Sequence, residues 1–204
     1  MITQEELKLI LTWKNNIFQK YTRNELMKLN DKTSKAWMFK ALNNLEKNNL
    51  IKKTKISNLF LYQLNTINPS SYKLLNQMQI LKTEKSTEIS KLNKLISSIP
   101  YLNYCLILFG SYAKNKQTKE SDLDICLITE NKEDYKKIIP YIEEIKFEIE
   151  LDVNYVTKKE FIEMLTNDEE NLGKQIDKNE KLIIFNEDIY YQILIEANKH
   201  GYRS

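Results

Sequence analysis

Residues 108–128, LFGSYAKNKQTKESDLDICLI, hold the densest group of informative side chains in this 204-residue sequence. Gly110 and Ser111 follow an apolar run, although the whole chain has only three glycines. Asp122 and Asp124 then open the next apolar run. A glycine lets the backbone approach a bulky ligand closely, and free N–H groups at a helix start bind anions. The pattern therefore predicts a phosphate-binding turn at Gly110 and Ser111.

The two aspartates belong to a predicted strand over residues 122–129, and they share one of its faces. Side chains at i and i+2 of a strand point to the same side, so Leu123 and Ile125 point to the other. Two adjacent carboxylates repel each other unless a cation lies between them, and Mg²⁺ prefers oxygen ligands. The pair therefore predicts a magnesium site.

A third carboxylate, Asp152, lies inside the apolar run IELDVNYV at residues 149–156. A charge within an apolar strand is costly unless it has a partner or a metal. The alternative is an aspartate on an edge strand that faces water. We predict that Asp152 converges with Asp122 and Asp124 beside the phosphate-binding turn.

The remainder of the C-terminal region alternates between strand-like and helix-like segments. Apolar runs predict strands, and amphipathic stretches predict helices, one of them interrupted or kinked at Pro140. The fold class predicted for residues 99–204 is α+β, with a mixed β-sheet flanked by helices. The predicted strands are 103–109, 122–129 and 149–156, and the predicted helices are 133–148, 158–166, 169–179 and a terminal helix after Asn186.

The sequence matches the signature G-S-x10-D-x-D. Gly110-Ser111 is followed by ten residues and then by Asp122-Leu123-Asp124. Residues 99–204 thereby resemble the minimal nucleotidyltransferases of the DNA polymerase β superfamily. The resemblance implies that Asp122, Asp124 and Asp152 are catalytic and hold two Mg²⁺ ions. It also implies that Gly110, Ser111 and Lys114 contact the nucleoside triphosphate.

The activity implied by this resemblance is that of an adenylyltransferase, with ATP as the substrate. AMP would pass to a hydroxyl group and pyrophosphate would leave. Some small members of the family are antitoxins that adenylylate tyrosines of a partner toxin of the HEPN class. By analogy, such a toxin or another protein is the implied acceptor.

Two alternatives stay open at this point. One is a small-molecule adenylyltransferase of the antibiotic-modifying type. The other is a transcription regulator whose second domain senses a nucleotide without turnover. Family members often have Ala-Arg-Gly after the Gly-Ser pair, whereas this sequence has Ala113-Lys114-Asn115. Lysine cannot clamp a phosphate with two parallel hydrogen bonds, and losing the glycine predicts a less pliable loop.

Residues 1–66 differ sharply in charge from the rest of the chain. They carry 12 Lys/Arg against 5 Asp/Glu, a net charge of +7, whereas residues 67–204 carry 19 against 23, a net charge of −4. Helix start signals occur at Thr3, Thr22 and Thr33-Ser34. Two short runs, IKKTKI and LFLYQL, flank Ser57-Asn58 and predict a β-hairpin. Three helices followed by a hairpin resemble a winged helix-turn-helix domain.

The resemblance implies a recognition helix at residues 34–48 and binding of double-stranded DNA. Lysines on that helix and on the hairpin would neutralise phosphates, while neighbouring amides reach base edges. The alternative is a protein-interaction module. The predicted DNA-binding residues are Lys35, Lys40, Asn43, Asn44, Lys52, Lys53 and Lys55.

Residues 67–98 predict a connecting helix with an apolar seam. Packing of the seam on its own chain is the leading interpretation, and a homodimer contact is the alternative.

The N-terminus lacks the pattern of a signal peptide, and no apolar run is long enough to span a membrane. Cys105 and Cys126 lie within apolar runs, which favours reduced core residues. A cytoplasmic location is therefore expected.

Overall fold

The structure is a computed structural model that describes residues 2–81, 87–118 and 120–203. The chain divides into two compact units, residues 1–81 and residues 82–203. None of the helices within the described ranges combines the length and the apolar character needed to cross a membrane.

The first unit contains a three-stranded antiparallel sheet with the strand order β1-β3-β2. Capping boxes at Thr3 and Thr22 begin its first two α-helices, and Ser34 caps the third, which confirms the predicted starts. The predicted hairpin is also confirmed, with Ser57 at a positive φ of 53° in its turn. The elements are α1 (Gln4–Lys8), a 3-10 helix (Leu9–Trp13), β1 (Tyr21–Thr22), α2 (Arg23–Leu29), α3 (Lys35–Lys47), β2 (Ile51–Ile56), β3 (Leu59–Leu64) and α4 (Pro69–Ile80).

Helix α3 lies against the core of this unit through one apolar stripe. Met38, Ala41, Leu42 and Leu45 are buried at helical spacing, whereas Lys40 on the opposite side is exposed. The stripe orients the helix because apolar surface is favourable only when it is removed from water. One face of α3 is thus left in solvent.

The second unit is built on a four-stranded mixed sheet with the order β6-β5-β4-β7. Strands β5 and β6 are parallel, and the other pairs are antiparallel, which confirms the predicted mixed sheet. Its elements are α5 (Thr87–Ile96), β4 (Tyr104–Leu108), α6 (Gly110–Ala113), β5 (Leu123–Thr129), α7 (Lys132–Lys146), β6 (Leu151–Thr157), α8 (Lys158–Thr166), α9 (Leu172–Lys178), β7 (Leu182–Phe185) and α10 (Glu187–Lys199). Strand β7 was not predicted.

Helix α7 continues through Pro140, so the helix is not interrupted there, and a kink at this residue stays a prediction. Proline inside a helix costs about 3 kcal/mol because it removes a hydrogen bond and crowds the preceding turn. Ile138, Ile142 and Ile145 of this helix are buried in one apolar cluster with side chains of β4 and β5. Burial of three such side chains contributes roughly 1.5–3 kcal/mol each and outweighs the proline penalty.

The predicted connecting helix is represented by α4 and α5, and its residues 82–86 lie outside the described part of the chain. Leu75 of α4 is fully buried within the first unit. Leu92 and Ile96 of α5 are buried in the apolar cluster of the second unit. These three seam residues pack on their own chain, as the leading interpretation predicted.

Candidate active site

Gly110 lies one residue beyond Phe109, which follows the end of β4, and it adopts a positive φ of 69°. A Cβ atom at this position would overlap the carboxylate of Asp124, which lies on the neighbouring strand β5. The backbone N–H of Ser111 donates a hydrogen bond to that carboxylate, and the N–H of Phe109 donates to the Asp124 carbonyl oxygen at 3.0 Å. The glycine thus makes room for a side chain of the site itself, and Ser111 orients that side chain.

We expect Gly110→Ala to lower the free energy of unfolding by about 2–5 kcal/mol. A Cβ at positive φ costs about 1–2 kcal/mol, and overpacking against Asp124 adds about 1–3 kcal/mol. Gly201→Ala is the matched control, because Gly201 has a φ of 97° but open space around its missing Cβ. Chemical denaturation of both variants measures the difference. Equal losses would show that Asp124 does not press on Gly110.

The carboxylates of Asp124 and Asp152 project from neighbouring parallel strands in register. Their Cα atoms are partners in the β5–β6 ladder, where strands lie about 4.8 Å apart. Asp122 comes immediately before β5 and shares the face of Asp124, while Leu123 is fully buried on the opposite face. Asp122 and Asp152 are exposed, and Asp124 is half-buried. All three predicted catalytic residues therefore lie at one end of the sheet.

Burial raises the pKa of the Asp124 carboxyl, and the negative charge of Asp152 raises it further. The hydrogen bond from Ser111 lowers this pKa, and the charge of Asp122 raises it. The three carboxylates are therefore electrostatically coupled, with Asp124 at the centre.

No group of three or more Asp, Glu, His or Cys side chains within the described ranges is arranged as a closed metal cluster. The chemistry of the carboxylate oxygens nevertheless fits a hard divalent cation.

The loop after Gly110-Ser111 preserves the backbone shape that glycine would give it. Asn115 has a positive φ of 52°, a conformation that asparagine tolerates better than most residues. The N–H of Lys116 donates to the Ser111 carbonyl at 3.0 Å, and the N–H of Asn115 donates to the Tyr112 carbonyl at 3.2 Å. These two hydrogen bonds, together with the positive φ of Asn115, form a Schellman motif at the end of α6. Lys114, which precedes it, is exposed.

Asn154 is a polar residue of this face that sequence reasoning missed. It lies two residues after Asp152 on β6, so both side chains point to the same side, and its register partner is Cys126. The two-residue spacing of Asp152 and Asn154 within the predicted strand could have identified it. The apolar residues around Asn154 made the segment look like an ordinary buried strand. Asn154 can supply an amide beside the carboxylate pair.

The predicted DNA-binding residues of the first unit do not all lie together. Lys53 and Lys55 share one hairpin face, whereas Lys52 lies on the other. The amide of Asn44 donates to a carboxylate oxygen of Glu6 at 3.0 Å and is therefore directed at α1. Lys35 and Lys40 are exposed on α3, and Asn43 is half-buried beside them.

Two proteins of Methanocaldococcus jannaschii are similar to this chain, and both are provisionally named protein adenylyltransferases. MJ1379 is 39% identical over 77 residues, which cover 35% of this chain and 74% of the relative. MJ1547 is 50% identical over 34 residues, which cover 17% of this chain and 28% of the relative. No solved structure gives a significant match.

The profile described as "Nucleotidyltransferase domain" matches residues 89–200, which is more than half of the chain. This match spans the Gly110-Ser111 turn, all three aspartates and the whole mixed sheet. The prediction of a nucleotidyltransferase is thereby confirmed, and the chain belongs to the nucleotidyltransferase domain family.

Proposed function

We propose that this protein is an Mg²⁺-dependent adenylyltransferase that moves AMP from ATP to a hydroxyl group of a protein. The observation that carries the proposal is the in-register pair of Asp124 and Asp152 beside the Gly110-Ser111 turn. Two coupled carboxylates can bind the metal ions of a nucleoside triphosphate, and the neighbouring backbone N–H and hydroxyl groups can donate hydrogen bonds to its phosphate oxygens.

Each residue has a separate task in the proposed reaction. Asp122, Asp124 and Asp152 would hold two Mg²⁺ ions through their carboxylate oxygens. Ser111 keeps Asp124 in place through its backbone N–H, which leaves its hydroxyl and the N–H of Gly110 for the triphosphate oxygens. Lys114 is exposed next to this turn and can approach the departing phosphates. The bound Mg²⁺ ions would supply charge neutralisation to the phosphates.

The transfer is an in-line displacement at the α-phosphorus. A bond forms between the acceptor oxygen and that phosphorus, and the bond from the phosphorus to the bridging oxygen of the β-phosphate breaks. Pyrophosphate leaves with the bonding electron pair, and the hydroxyl proton passes to the exposed carboxylate of Asp152 and then to water. Asp152 suits this task because water reaches it freely.

A protein acceptor is supported by the names of the two archaeal relatives. The family resemblance makes a toxin of the HEPN class the first acceptor to test. The small-molecule alternative and the nucleotide-sensor alternative predict different products of the same assay.

Incubation of the protein with Mg²⁺ and ATP labelled at either the α- or the γ-phosphate tests the proposal. We expect α-label, but not γ-label, to become attached to an acceptor protein, with release of one pyrophosphate per transfer. Label on a small acceptor would favour the antibiotic-type alternative. Binding of ATP without release of pyrophosphate would favour the sensor.

For the first unit we propose a winged helix-turn-helix domain that binds double-stranded DNA for regulation. Its support is the order of three helices and a hairpin, the exposed face of α3 and the net charge of +7 over residues 1–66. Lys35, Lys40, Lys53 and Lys55 are the proposed phosphate contacts, and Asn43 is the proposed base contact. Asn44 and Lys52 are left out because they point elsewhere.

We expect duplex binding to weaken steeply with salt, and Lys40→Ala/Lys55→Ala to reduce the slope of log K against log[salt] by about 2. Each lysine that neutralises a phosphate releases about one counterion, which is the origin of the slope. Mobility-shift titrations between roughly 50 and 200 mM salt measure it. Lys159→Ala is the control, since that lysine is 87% exposed but belongs to the second unit. An absent or salt-insensitive shift would reject DNA binding.

A further inference from the structure

A groove in the first unit lies between the start of α2, one flank of α3 and the β2–β3 hairpin, and its volume is about 310 Å³. Its lining combines two cations, two half-exposed aromatic rings and two amides. No carboxylate occurs among the described residues that line it. The groups are Arg23 and Lys53, Phe39 and Phe60, and Asn24 and Asn58.

Local structure fixes the positions of these groups. The capping box of Thr22 and Glu25 makes Arg23 the first residue of α2. Lys53 and Phe60 share one hairpin face, and the Lys53 Nζ atom lies 4.4 Å from the centroid of the Phe60 ring. The hairpin ladder holds both in register. The groove is therefore formed by ordered elements.

The aromatic rings of this groove are unusually exposed for their size. Phe39 is 50% exposed and Phe60 is 45% exposed. Covering such rings with a flat apolar surface is energetically favourable. Stacking of a nucleobase on an aromatic ring is the best-known example. A base bound here would cover apolar ring surface that is otherwise in contact with water.

The polar groups of the groove select the same kind of ligand. Two cations without a neighbouring carboxylate in the lining attract an anionic group such as a phosphate. An asparagine amide can pair one N–H donor and its oxygen acceptor with a donor and an acceptor on the edge of a purine base. An acidic peptide could satisfy the cations and the rings, but its anionic group and its flat apolar surface would come from separate side chains, whereas a nucleotide carries both in one small molecule. The combination favours a phosphorylated nucleobase.

We propose that this groove binds one nucleotide, with its base against Phe39 and Phe60 and its phosphate at Arg23 and Lys53. The volume lies at the lower end of the range for small-molecule sites, roughly 300–1,000 Å³, which suits one nucleotide and not a longer segment. The nucleotide can come from two sources. It is either a free nucleotide or one unit of a single strand.

Binding of a free nucleotide has a regulatory consequence, which rests on the proposed DNA binding of the first unit. Lys53 and α3 belong to both the groove and the proposed duplex contact. A nucleotide in the groove therefore competes with the duplex. At an AMP concentration about ten times its dissociation constant for the groove, this competition is expected to weaken duplex binding about tenfold.

Photocrosslinking of the full chain with 8-azido-AMP, followed by peptide mapping, tests the proposal and separates the two units. A pentanucleotide with one 8-azidoadenine serves as the single-strand probe. We expect label in peptides that contain α3 or the hairpin, reduced about tenfold by Phe39→Ala and by Arg23→Gln. Label from the free nucleotide identifies that source, and label from the pentanucleotide alone identifies a strand.

Leu29→Ala is the matched control, because Leu29 is 58% exposed in the same unit but does not line the groove. Its labelling should equal that of the parent protein. Label confined to the second unit, while transfer from α-labelled ATP persists, would overturn the groove proposal and leave the enzymatic proposal standing. Displacement of the label by an acidic phenylalanine peptide but not by AMP would overturn it in favour of a peptide. Loss of label and of ATP-dependent transfer together would overturn both.

Discussion

Asp124→Asn is expected to lower the rate of AMP transfer roughly a thousandfold, which corresponds to about 4 kcal/mol of transition-state stabilisation. Asp124 is the central carboxylate of the site, because it is the register partner of Asp152 and the side chain that Gly110 accommodates. Asparagine retains its shape and an acceptor for the Ser111 N–H, but it lacks the negative charge that a divalent cation requires. Release of pyrophosphate from ATP measures the loss.

The same substitution is expected to leave the fold intact or to make it more stable in Mg²⁺-free buffer. The pKa of Asp124 is raised in the folded state, mainly by burial and then by the charge of Asp152. A raised carboxyl pKa means that the folded state binds the proton more tightly, so stability is lost as the pH rises through that pKa. At neutral pH asparagine removes this cost. The melting temperature therefore separates loss of function from loss of structure.

Glu130→Gln is a suitable control, because Glu130 is an exposed carboxylate that directly follows the far end of β5. It should retain both the rate of transfer and the melting temperature. An Asp124→Asn protein that transfers AMP as fast as the parent protein would reject the proposed site. A strongly lowered melting temperature would mean that the carboxylate is a structural group.

Asp177→Ala is expected to lower the free energy of unfolding of the second unit by about 3–5 kcal/mol. Asp177 is only 2% exposed and accepts hydrogen bonds from the hydroxyls of Tyr190 at 2.7 Å and Tyr202 at 2.8 Å. Its carboxylate also lies 3.5 Å from the buried ammonium of Lys181. Alanine would remove the counter-charge of that ammonium and the acceptor of both hydroxyls.

Burial and the Asp177 charge raise the pKa of Tyr190 well above its ordinary value. Its hydroxyl therefore remains a donor throughout the physiological range. Glu133→Ala is the control, since Glu133 forms an ion pair with Lys136 in which both side chains are more than 70% exposed. Exposed pairs contribute about 0–1 kcal/mol. Chemical denaturation that gives similar losses for both variants would contradict a stabilising role for the buried network.

Much of the fold was predictable because its signals are local. Thr22 with Glu25 specifies a helix start through hydrogen bonds that span only three residues. The strand runs around Cys105 and Cys126 were predictable from continuous apolar sequence, and both thiols are buried as expected. Strand β7 was missed because its LIIF run is short and is stabilised by pairing with the distant β4. The continuous helix through Pro140 likewise depends on burial against the sheet.

By itself, the sequence determined the carboxylate face of β5, because the two-residue period of a strand places Asp122 and Asp124 on one side wherever that strand lies. Only the tertiary structure decided that Asp152 is the register partner of Asp124, since the pairing of β5 with β6 joins residues 28 positions apart. It also decided the role of Gly110. The sequence predicted that the space left by the missing Cβ of Gly110 admits a ligand. In the structure the Asp124 carboxylate occupies that space. A backbone position without a Cβ is a local property, but what occupies the space depends on which strand packs beside it.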